Sequence, residues 1–291
     1  MDFYDLTKTE NAASIKQLLT KGKNALANNS LVKVVMLLET SSYLHRLEAN
    51  QFSIFTQKFH KSIYKTLKHF KGEVVKKDDH TYLMVFTSAT NAVLCALKVQ
   101  ANFKYITPKF DKDGRQLKIG ISLIDTDEEK SNATFKAITD ASRICAFVAN
   151  QLVVSQDVKI LYEKENRNAR IDKELIRILK RREESFLNRL IVCCETMSAK
   201  PNFKVSTLGM ELGLGRSQLY RKMMRLSGKS PSTFIREYKL RRAIGLLHEH
   251  MHGSISQIAV ESGFKSPTYF SRCFNDRFGI LPSKYIQQHS Y

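Results

Sequence analysis

Two arginines, Arg221 and Arg272, stand at the same place in two similar segments, Leu219-Tyr220-Arg221 and Phe270-Ser271-Arg272. A guanidinium presents a planar fork of N–H donors that can bond O6 and N7 of one guanine together. A small hydroxyl residue precedes each arginine by four positions, at Ser217 and Thr268. Residues four apart share a face of a helix. The spacing therefore favours two helical surfaces that each present a hydroxyl and a guanidinium group.

The two segments belong to an internal repeat. Residues 205–214 align with residues 255–264 at an offset of 50, and one extra residue, Lys265, changes the offset to 51 from there on. Apolar residues at helical spacing predict a short buried helix at the start of each copy. Gly213 and Gly263 follow, where a left-handed residue ends a helix. The repeat therefore predicts two copies of one supersecondary unit.

The second helix of each copy has its own start and face signals. Ser266 is a good N-cap and Pro267 suits the first helical position, whereas Gly215 is a weaker cap. The pairs Leu219 with Met223 and Phe270 with Phe274 are four residues apart, so they should turn inward. This leaves the arginines outward and predicts two helix-turn-helix units. A repeat of helical hairpins with a solvated basic face is the alternative.

The C-terminal sequence resembles the AraC/XylS family of bacterial transcription regulators. The resemblance lies in SPTYFSRCFNDRFGILPSKYI, in GRSQLYRKMMRLSGKSPSTFIREYKL and in the joining segment KLRRAIGLL, and it covers about residues 184–291. It implies double-stranded DNA as a partner, with RNA polymerase as a further candidate partner. The base-facing residues that it implies are Ser217, Tyr220, Arg221, Thr268, Ser271 and Arg272. Phosphate contacts are expected from Lys222, Arg225, Lys229, Lys265 and Arg277.

One alternative and one further expectation concern this region. Tyr220 could instead be a half-buried packing residue. The joining helix, from Ser232 to about His250, carries an apolar stripe at Leu240, Ala243, Ile244 and Leu247. If it holds the two units about 34 Å apart, one chain reads two successive major grooves.

The region ahead of this repeat alternates strand and helix patterns. Residues 1–30 predict a helical extension, and strands are expected at 31–38, 73–77, 82–86, 117–124 and 151–155. Helices are expected at 51–70, 91–103 and 139–147. This order predicts an α+β domain at residues 31–162, with helices on a mixed or antiparallel sheet. An all-α domain with two helix-turn-helix units should follow it.

The N-terminal pattern resembles the catalytic domain of class III nucleotide cyclases. The resemblance lies in VVMLLET, GEVVKKDDHTYLMVF, LKIGISLI and ITDASRICAFVANQLVVS. Such a cyclase needs two aspartates on two Mg²⁺ ions, and here the corresponding positions are Glu39 and His80. Thr139 replaces the asparagine of the family, and only Arg143 matches. We therefore expect a non-enzyme, with an active nucleotide cyclase that carries a DNA-binding module as the alternative.

Two roles remain open for this domain. It could bind a nucleotide-like effector or another anion without reacting it, with Lys76, Lys77 and Arg143 as candidate contacts. It could instead be a scaffold that makes a homodimer, since the cyclase resemblance implies face-to-face pairing. A surface salt bridge is the alternative role for Arg143.

Residues 163–183 are highly charged but carry apolar residues at Ile171, Leu175, Ile178 and Leu179. This spacing predicts a short helical linker that could pair with a twin. A solvated spacer is the alternative.

The whole chain of 291 residues has a formal net charge of +19, of which residues 167–291 carry +13 and residues 1–166 carry +6. Such a field attracts polyanions, including nucleic acid and anionic membrane. No apolar run approaches the length of about 20 residues that a membrane span needs, and the acidic start does not resemble a signal peptide. We therefore predict a cytoplasmic protein that does not act at a membrane.

Metal and cofactor chemistry is not expected. The five cysteines include no CxxC pair, so we interpret them as small buried apolar residues. The stretch His248-Glu249-His250-Met251-His252 matches the HExxH zinc pattern. It ends the predicted joining helix inside a compact module, which leaves no room for a catalytic cleft. No metal and no cofactor are predicted.

Overall fold

The computed structural model describes residues 34–40, 49–77, 81–106, 117–125, 130–167, 169–198, 203–249 and 254–289. The chain divides into two compact units, one ending at Glu184 and the other running from Ser185 to Tyr291. The predicted extension at residues 1–30 lies outside the described residues.

A six-stranded mixed sheet forms the centre of the N-terminal unit. Its strands are β1 (Val34–Thr40), β2 (Glu73–Lys77), β3 (Thr81–Phe86), β4 (Leu117–Leu123), β5 (Leu152–Ser155) and β6 (Arg177–Leu179), in the order β2-β3-β1-β4-β5-β6. The pairs β2–β3, β3–β1 and β1–β4 are antiparallel, and β4–β5 and β5–β6 are parallel. The sequence predicted a mixed or antiparallel sheet, and the sheet is mixed.

Helices cover one face of this sheet. The two helices are α1 (Ala49–His69) and α2 (Ala89–Ile106), so the first six elements follow the split βαββαβ order. Alternate residues of β1, namely Val34, Met36 and Leu38, face the same core as residues of α1 and α2. Phe59 packs edge-on against Phe103 within that core. This face is therefore an aromatic-rich layer between helices and sheet.

The other face is covered by α3 (Lys130–Phe147), which packs against β1 and β4. A Cβ atom at Gly120 of β4 would lie 2.4 Å from the carbonyl oxygen of Ala141. Only glycine lets the helix backbone approach the strand this closely. Because both faces are covered, β1 is almost continuously apolar, as a doubly buried strand requires.

A further helix, α4 (Gln156–Glu165), supplies the N-terminal cap of α2, although the two helices are far apart in sequence. The Glu165 carboxylate accepts hydrogen bonds from the backbone N–H groups of Ala89 and Thr90 at 3.1 and 2.9 Å. The hydroxyls of Ser88 and Thr90 also donate to it, each at 2.7 Å. Burial alone would raise the pKa of Glu165, but these hydrogen bonds lower it below the ordinary value. A charged cap therefore ties two helices together.

The strands and helices predicted between residues 31 and 155 are confirmed, and all bounds but one differ by at most three residues. The largest difference is α3, which begins at Lys130 and not at Thr139.

The helical linker predicted at residues 163–183 is wrong. In the structure α4 ends at Glu165 and the next regular element is β6, which pairs with β5. Ile171 and Leu179 are buried, whereas Leu175 is 55% exposed. The apparent helical stripe is thus not one surface. The open edge of β5 offers hydrogen-bond partners to residues 177–179. Pairing with that edge therefore decides their structure, although the apolar spacing favours a helix.

In the C-terminal unit, every regular element among the described residues is a helix. Its elements are α5 (Arg181–Met197), whose first four residues precede the unit, then α6 (Val205–Leu212), α7 (Arg216–Ser227), α8 (Pro231–Glu249), α9 (Ile255–Glu261), α10 (Pro267–Phe278) and α11 (Pro282–His289). The joining helix predicted at 232–250 is confirmed as α8. In the part of the chain that the structure describes, none of the helices is long and apolar enough to span a bilayer.

Candidate nucleic-acid interface

The first helix pair, α6 and α7, is held by a glycine turn. Leu208, Leu219 and Met223 are fully buried, so the two helices pack through the faces that the sequence predicted. Gly213 ends α6 with φ +65°, in the left-handed region. Gly215 precedes α7 without a side-chain cap. The outer face of α7 is therefore free to carry polar and basic side chains.

The second helix pair, α9 and α10, repeats this arrangement with more side-chain contacts. Phe270 and Phe274 are fully buried, and Gly263 has φ +86°. Ser266 caps α10 by accepting a hydrogen bond from the backbone N–H of Tyr269 at 3.3 Å. The turn, cap and burial signals read from the sequence are confirmed in this pair.

The side chains expected to face bases lie on the outer faces of α7 and α10. Ser217, Arg221, Thr268 and Arg272 are exposed, as the burial argument predicted. The Arg272 guanidinium carbon lies 5.3 Å from the centre of the Tyr269 ring, within the range of a cation–π contact.

The other two expected base contacts are less open. Tyr220 is half exposed, and Ser271 is partly buried. Both residues lie on the outer faces, and their contact with bases stays a prediction.

The residues expected to contact phosphate divide into two groups. Lys222, Arg225 and Lys265 are exposed, and the Lys222 Nζ lies 5.3 Å from the centre of the Phe186 ring. Lys229 and Arg277 are instead engaged inside the unit. Both form ion pairs with Glu237 of α8, at 3.4 and 2.8 Å. The predicted phosphate contacts did not take this pairing into account, because the acceptor lies on a different helix.

Two long basic side chains bond the turns, and sequence reading missed both. Arg189 of α5 donates to the carbonyl oxygen of Leu212 at 3.1 Å. Lys239 of α8 donates to the carbonyl oxygen of Gly263 at 2.7 Å. Residues 189 and 239 are 50 apart, which is the offset of the repeat. The repeated unit therefore includes the helix before each pair. A basic residue at the repeat offset is the feature of the sequence that indicates this.

Burial changes the titration of Lys239. Desolvation, helped by the nearby charge of Lys265, lowers the pKa of Lys239 below its ordinary value. A partly buried ammonium is stabilised by strong acceptors such as the Gly263 carbonyl.

The candidate anion contacts of the N-terminal unit lie on separate elements. Lys76 and Lys77 are on β2, at one edge of the sheet, and Lys77 lies over the Tyr64 ring at 5.4 Å. Arg143 is on α3, which packs against β1 and β4. It is 4% exposed, so the surface salt bridge considered for it is wrong. The helical periodicity of α3 turns this position inward.

The remaining residues that could have reacted or bound a metal are the cysteines and the histidines of the HExxH match. All five cysteines are buried, as predicted, and burial raises the pKa of Cys95 to about 12. Among the described residues, no three His, Cys, Asp or Glu side chains form a group that could hold a metal ion. His250 to His252 of the HExxH match, together with His80, lie outside the described residues.

Residues 208–288 match the family described as a helix-turn-helix domain. The chain is 37% identical over 108 residues to histidine kinase P4 of Formosa agariphila, covering 37% of this chain and 8% of the kinase. It is 27% identical over 119 residues to the HTH-type transcriptional regulator MtrA of Neisseria gonorrhoeae, covering 40% of this chain and 38% of that regulator. The chain thus spans well under half the length of either relative.

Among solved structures, the chain is similar to a transcriptional regulator with an AraC-type DNA-binding domain from Chromobacterium violaceum. The two are 29% identical with a TM-score of 0.32, over 34% of this chain and 88% of that one. The glycine turns, buried helix faces and family match define the C-terminal unit as a helix-turn-helix domain.

Proposed function

We propose that the protein is a sequence-specific DNA-binding transcription regulator in which α6–α7 and α9–α10 both act as helix-turn-helix units. The observation that carries this proposal is the matched placement of Arg221 and Arg272. Each is exposed on the outer face of the second helix of its pair, four residues after an exposed hydroxyl residue. Each helix is fixed from behind by buried apolar side chains, so its outer face can enter a major groove.

The joining helix supports a two-groove arrangement. Leu240, Ala243 and Leu247 of α8 are buried in the same core as Ile258 and Phe270 of the second pair. A helix that is held by its apolar stripe gives the two units a defined separation. With a separation of about 34 Å, one chain reads two successive major grooves of a site without internal symmetry.

The proposal divides the polar residues of the interface into two roles. Lys222 and Arg225 neutralise phosphates, which adds affinity and salt dependence but no sequence preference. The residues proposed to face bases are Ser217, Tyr220, Arg221, Thr268, Ser271 and Arg272.

Binding to a site selected from random DNA, compared with a scrambled site across a salt series, tests this division. We expect Arg221→Ala and Arg272→Ala each to cost about 1–3 kcal/mol on the selected site and to relax preference at a few base pairs. Lys222→Ala should weaken both sites alike and lower the salt slope by about one. Equal losses on both sites for the two arginine variants would reject the base-reading role.

For the N-terminal unit we propose control without catalysis, through homodimer formation. Several large apolar side chains on α1 and α2 are exposed to solvent, among them Tyr64 and Tyr105, the latter at 89%. Exposed apolar side chains mark an interface where they form one continuous patch, and the proposal takes these residues to belong to such a patch. Light scattering of the full chain should give the mass of a dimer, and Tyr105→Ser should shift it towards the monomer. A monomer at all accessible concentrations would contradict this proposal.

Effector binding is the second mode of control that we propose. Thr139 Oγ1 and Ser142 Oγ are buried beside Arg143 on α3, without a hydrogen-bond partner among the described residues. Unsatisfied buried hydroxyls often mark a group that is absent from the structure. A nucleotide or another anion should raise the melting temperature of the full chain, and Arg143→Leu should remove the rise. Steady production of a cyclic nucleotide from ATP or GTP would instead support an active cyclase.

The proposed regulator is expected to act on RNA polymerase. An exposed residue on the DNA-binding unit that changes transcription in vitro without changing DNA affinity would identify the contact.

A further inference from the structure

One carboxylate joins the ends of both outward-facing helices. Glu237, on α8, accepts from the Arg277 Nε at 2.8 Å and lies 3.4 Å from the Lys229 Nζ. Lys229 follows Gly228, the residue that ends α7, and Arg277 is in the last turn of α10. We call these three residues the Glu237 cluster. It connects α7, α8 and α10 through a single side chain.

The cluster is partly shielded from solvent, which strengthens it. The Glu237 side chain is 19% exposed, and its two partners are 34% and 37% exposed. Burial alone would raise the pKa of Glu237, but the charges and hydrogen bonds of Arg277 and Lys229 lower it below the ordinary value. Charge pairs at this depth are screened less than those in open water. The carboxylate therefore stays ionised and holds two cations that would otherwise repel each other.

The cluster is not a product of the internal repeat. At the offset of 51, Lys229 corresponds to Ile280, and Arg277 corresponds to Leu226. Neither of these residues could pair with a carboxylate. The three charges therefore belong to the junction between the two copies of the repeat. Contacts at this junction decide how the two copies are placed relative to each other.

We propose that Glu237 is the positioning residue that fixes the distance and rotation between α7 and α10, and so sets the spacing of the two DNA subsites that the protein accepts. This inference rests on the proposed function, because spacing matters only if both helices read DNA. One base pair changes the separation of two subsites by about 3.4 Å and their rotation by roughly 35°. A joint that tolerates only small movements would therefore discriminate sites that differ by one base pair.

The geometric part of the inference is tested without DNA. Nitroxide labels on cysteines placed at the exposed positions Gln218 of α7 and Asn275 of α10 report their distance distribution by electron paramagnetic resonance. The native cysteines are all buried, and labelling of the parent chain measures any background. We expect one narrow distribution in the parent and a broader one in Glu237→Gln. An unchanged width in a folded Glu237→Gln variant would overturn the inference whatever the protein binds.

The functional part is tested with sites whose two halves are moved apart or together by one base pair. The parent should lose at least about tenfold in affinity on either altered site, the size of a lost base contact. Glu237→Gln should bind the original spacing more weakly and lose clearly less on the altered sites. Equal spacing penalties in parent and variant would also overturn the inference.

Two controls separate geometry from charge. Glu211→Gln makes the same charge change at an exposed position on α6 and should leave the spacing penalty unchanged. Lys229→Gln makes the opposite charge change but breaks the same cluster, so it should reduce the penalty as Glu237→Gln does. Circular dichroism and melting curves confirm folding of each variant. If no DNA site is selected at all, the proposed function fails, while the distance measurement still decides the role of Glu237.

Discussion

The two helix pairs of the C-terminal unit share a local plan but differ in how they are anchored. Gly213 of the first pair has open space around the position of a Cβ, whereas a Cβ at Gly263 would lie 1.9 Å from the carbonyl oxygen of Ser198. Gly215 gives α7 no side-chain cap, and Ser266 caps α10. The same signals in sequence therefore produce one pair held mainly by its apolar contacts and another fixed also by the surrounding backbone.

Aromatic packing adds to this difference. Phe270 packs on Phe274 with ring centres 5.6 Å apart, and Phe274 packs on Phe278 at 4.5 Å and on Tyr285 at 5.7 Å. The corresponding buried residues of α7 are Leu219 and Met223, which are smaller or more flexible. We infer that the first pair opens more readily than the second.

The largest contrast is expected from the two turn glycines. Gly263→Ala combines left-handed strain with a clash against backbone, so we expect a loss of about 3 kcal/mol or more in unfolding free energy. Gly213→Ala introduces only the strain of a left-handed backbone, so the unfolding free energy should fall by about 1–2 kcal/mol. Urea denaturation of both variants measures the difference. Similar losses would show that Ser198 moves aside easily and that the second turn is not specially anchored.

The basic residues that bond the turns give the next contrast. Lys239→Met should cost about 1–2 kcal/mol, since it removes a short charged hydrogen bond to Gly263 but also a desolvated ammonium. Arg189→Met should cost about 1 kcal/mol, because its bond to Leu212 is longer. Amide hydrogen exchange should show faster exchange in α9 for the first variant and in α6 for the second. Exchange that rises in the opposite pair would contradict these local roles.

The caps are expected to have a smaller effect. Ser266→Ala removes the side-chain acceptor at the start of α10 and should cost about 1 kcal/mol. Gly215→Ser introduces a cap in the first pair, where the backbone is extended and the Cβ position is open. It should gain a few tenths of a kcal/mol. Thermal melting of both variants tests whether the missing cap explains part of the asymmetry.

The smallest effect is expected from the ring beneath Arg272. Tyr269→Leu keeps apolar bulk beside Phe264 but removes the cation–π contact, which is worth about 0.5–1 kcal/mol at an exposed site. We expect a loss of that size on the selected DNA site and none on a scrambled one. Gln218→Ala, at the equivalent position of α7, is the matched control. A loss shared by both sites would show that the ring does not act through the arginine.

The parts of the fold that could be predicted are those with local signals. Burial of Leu219 and Phe270, the left-handed turns and the Ser266 cap all follow from residues within one helical turn of each other. The doubly buried strand β1 was visible for the same reason, as a dense apolar run. The outward faces that carry Arg221 and Arg272 followed directly from these elements.

The parts that could not be predicted depend on partners far away in sequence. Glu165 caps a helix that begins 76 residues earlier, and Lys229 and Arg277 meet on a carboxylate of a third helix. Strand β6 lies where the apolar spacing predicted a helix, because the sequence does not show that β5 has an unpaired edge next to this segment. In each case a hydrogen-bonding group from elsewhere decided the structure.

The position of β6 has a practical consequence for dissecting the chain. A fragment that stops at residue 162 would lack β6 and leave the edge of β5 unpaired along an apolar border, where other molecules could add and precipitate. Glu184 accepts a hydrogen bond from the backbone N–H of Gln156 at 3.1 Å. A soluble N-terminal fragment should therefore extend at least through Glu184.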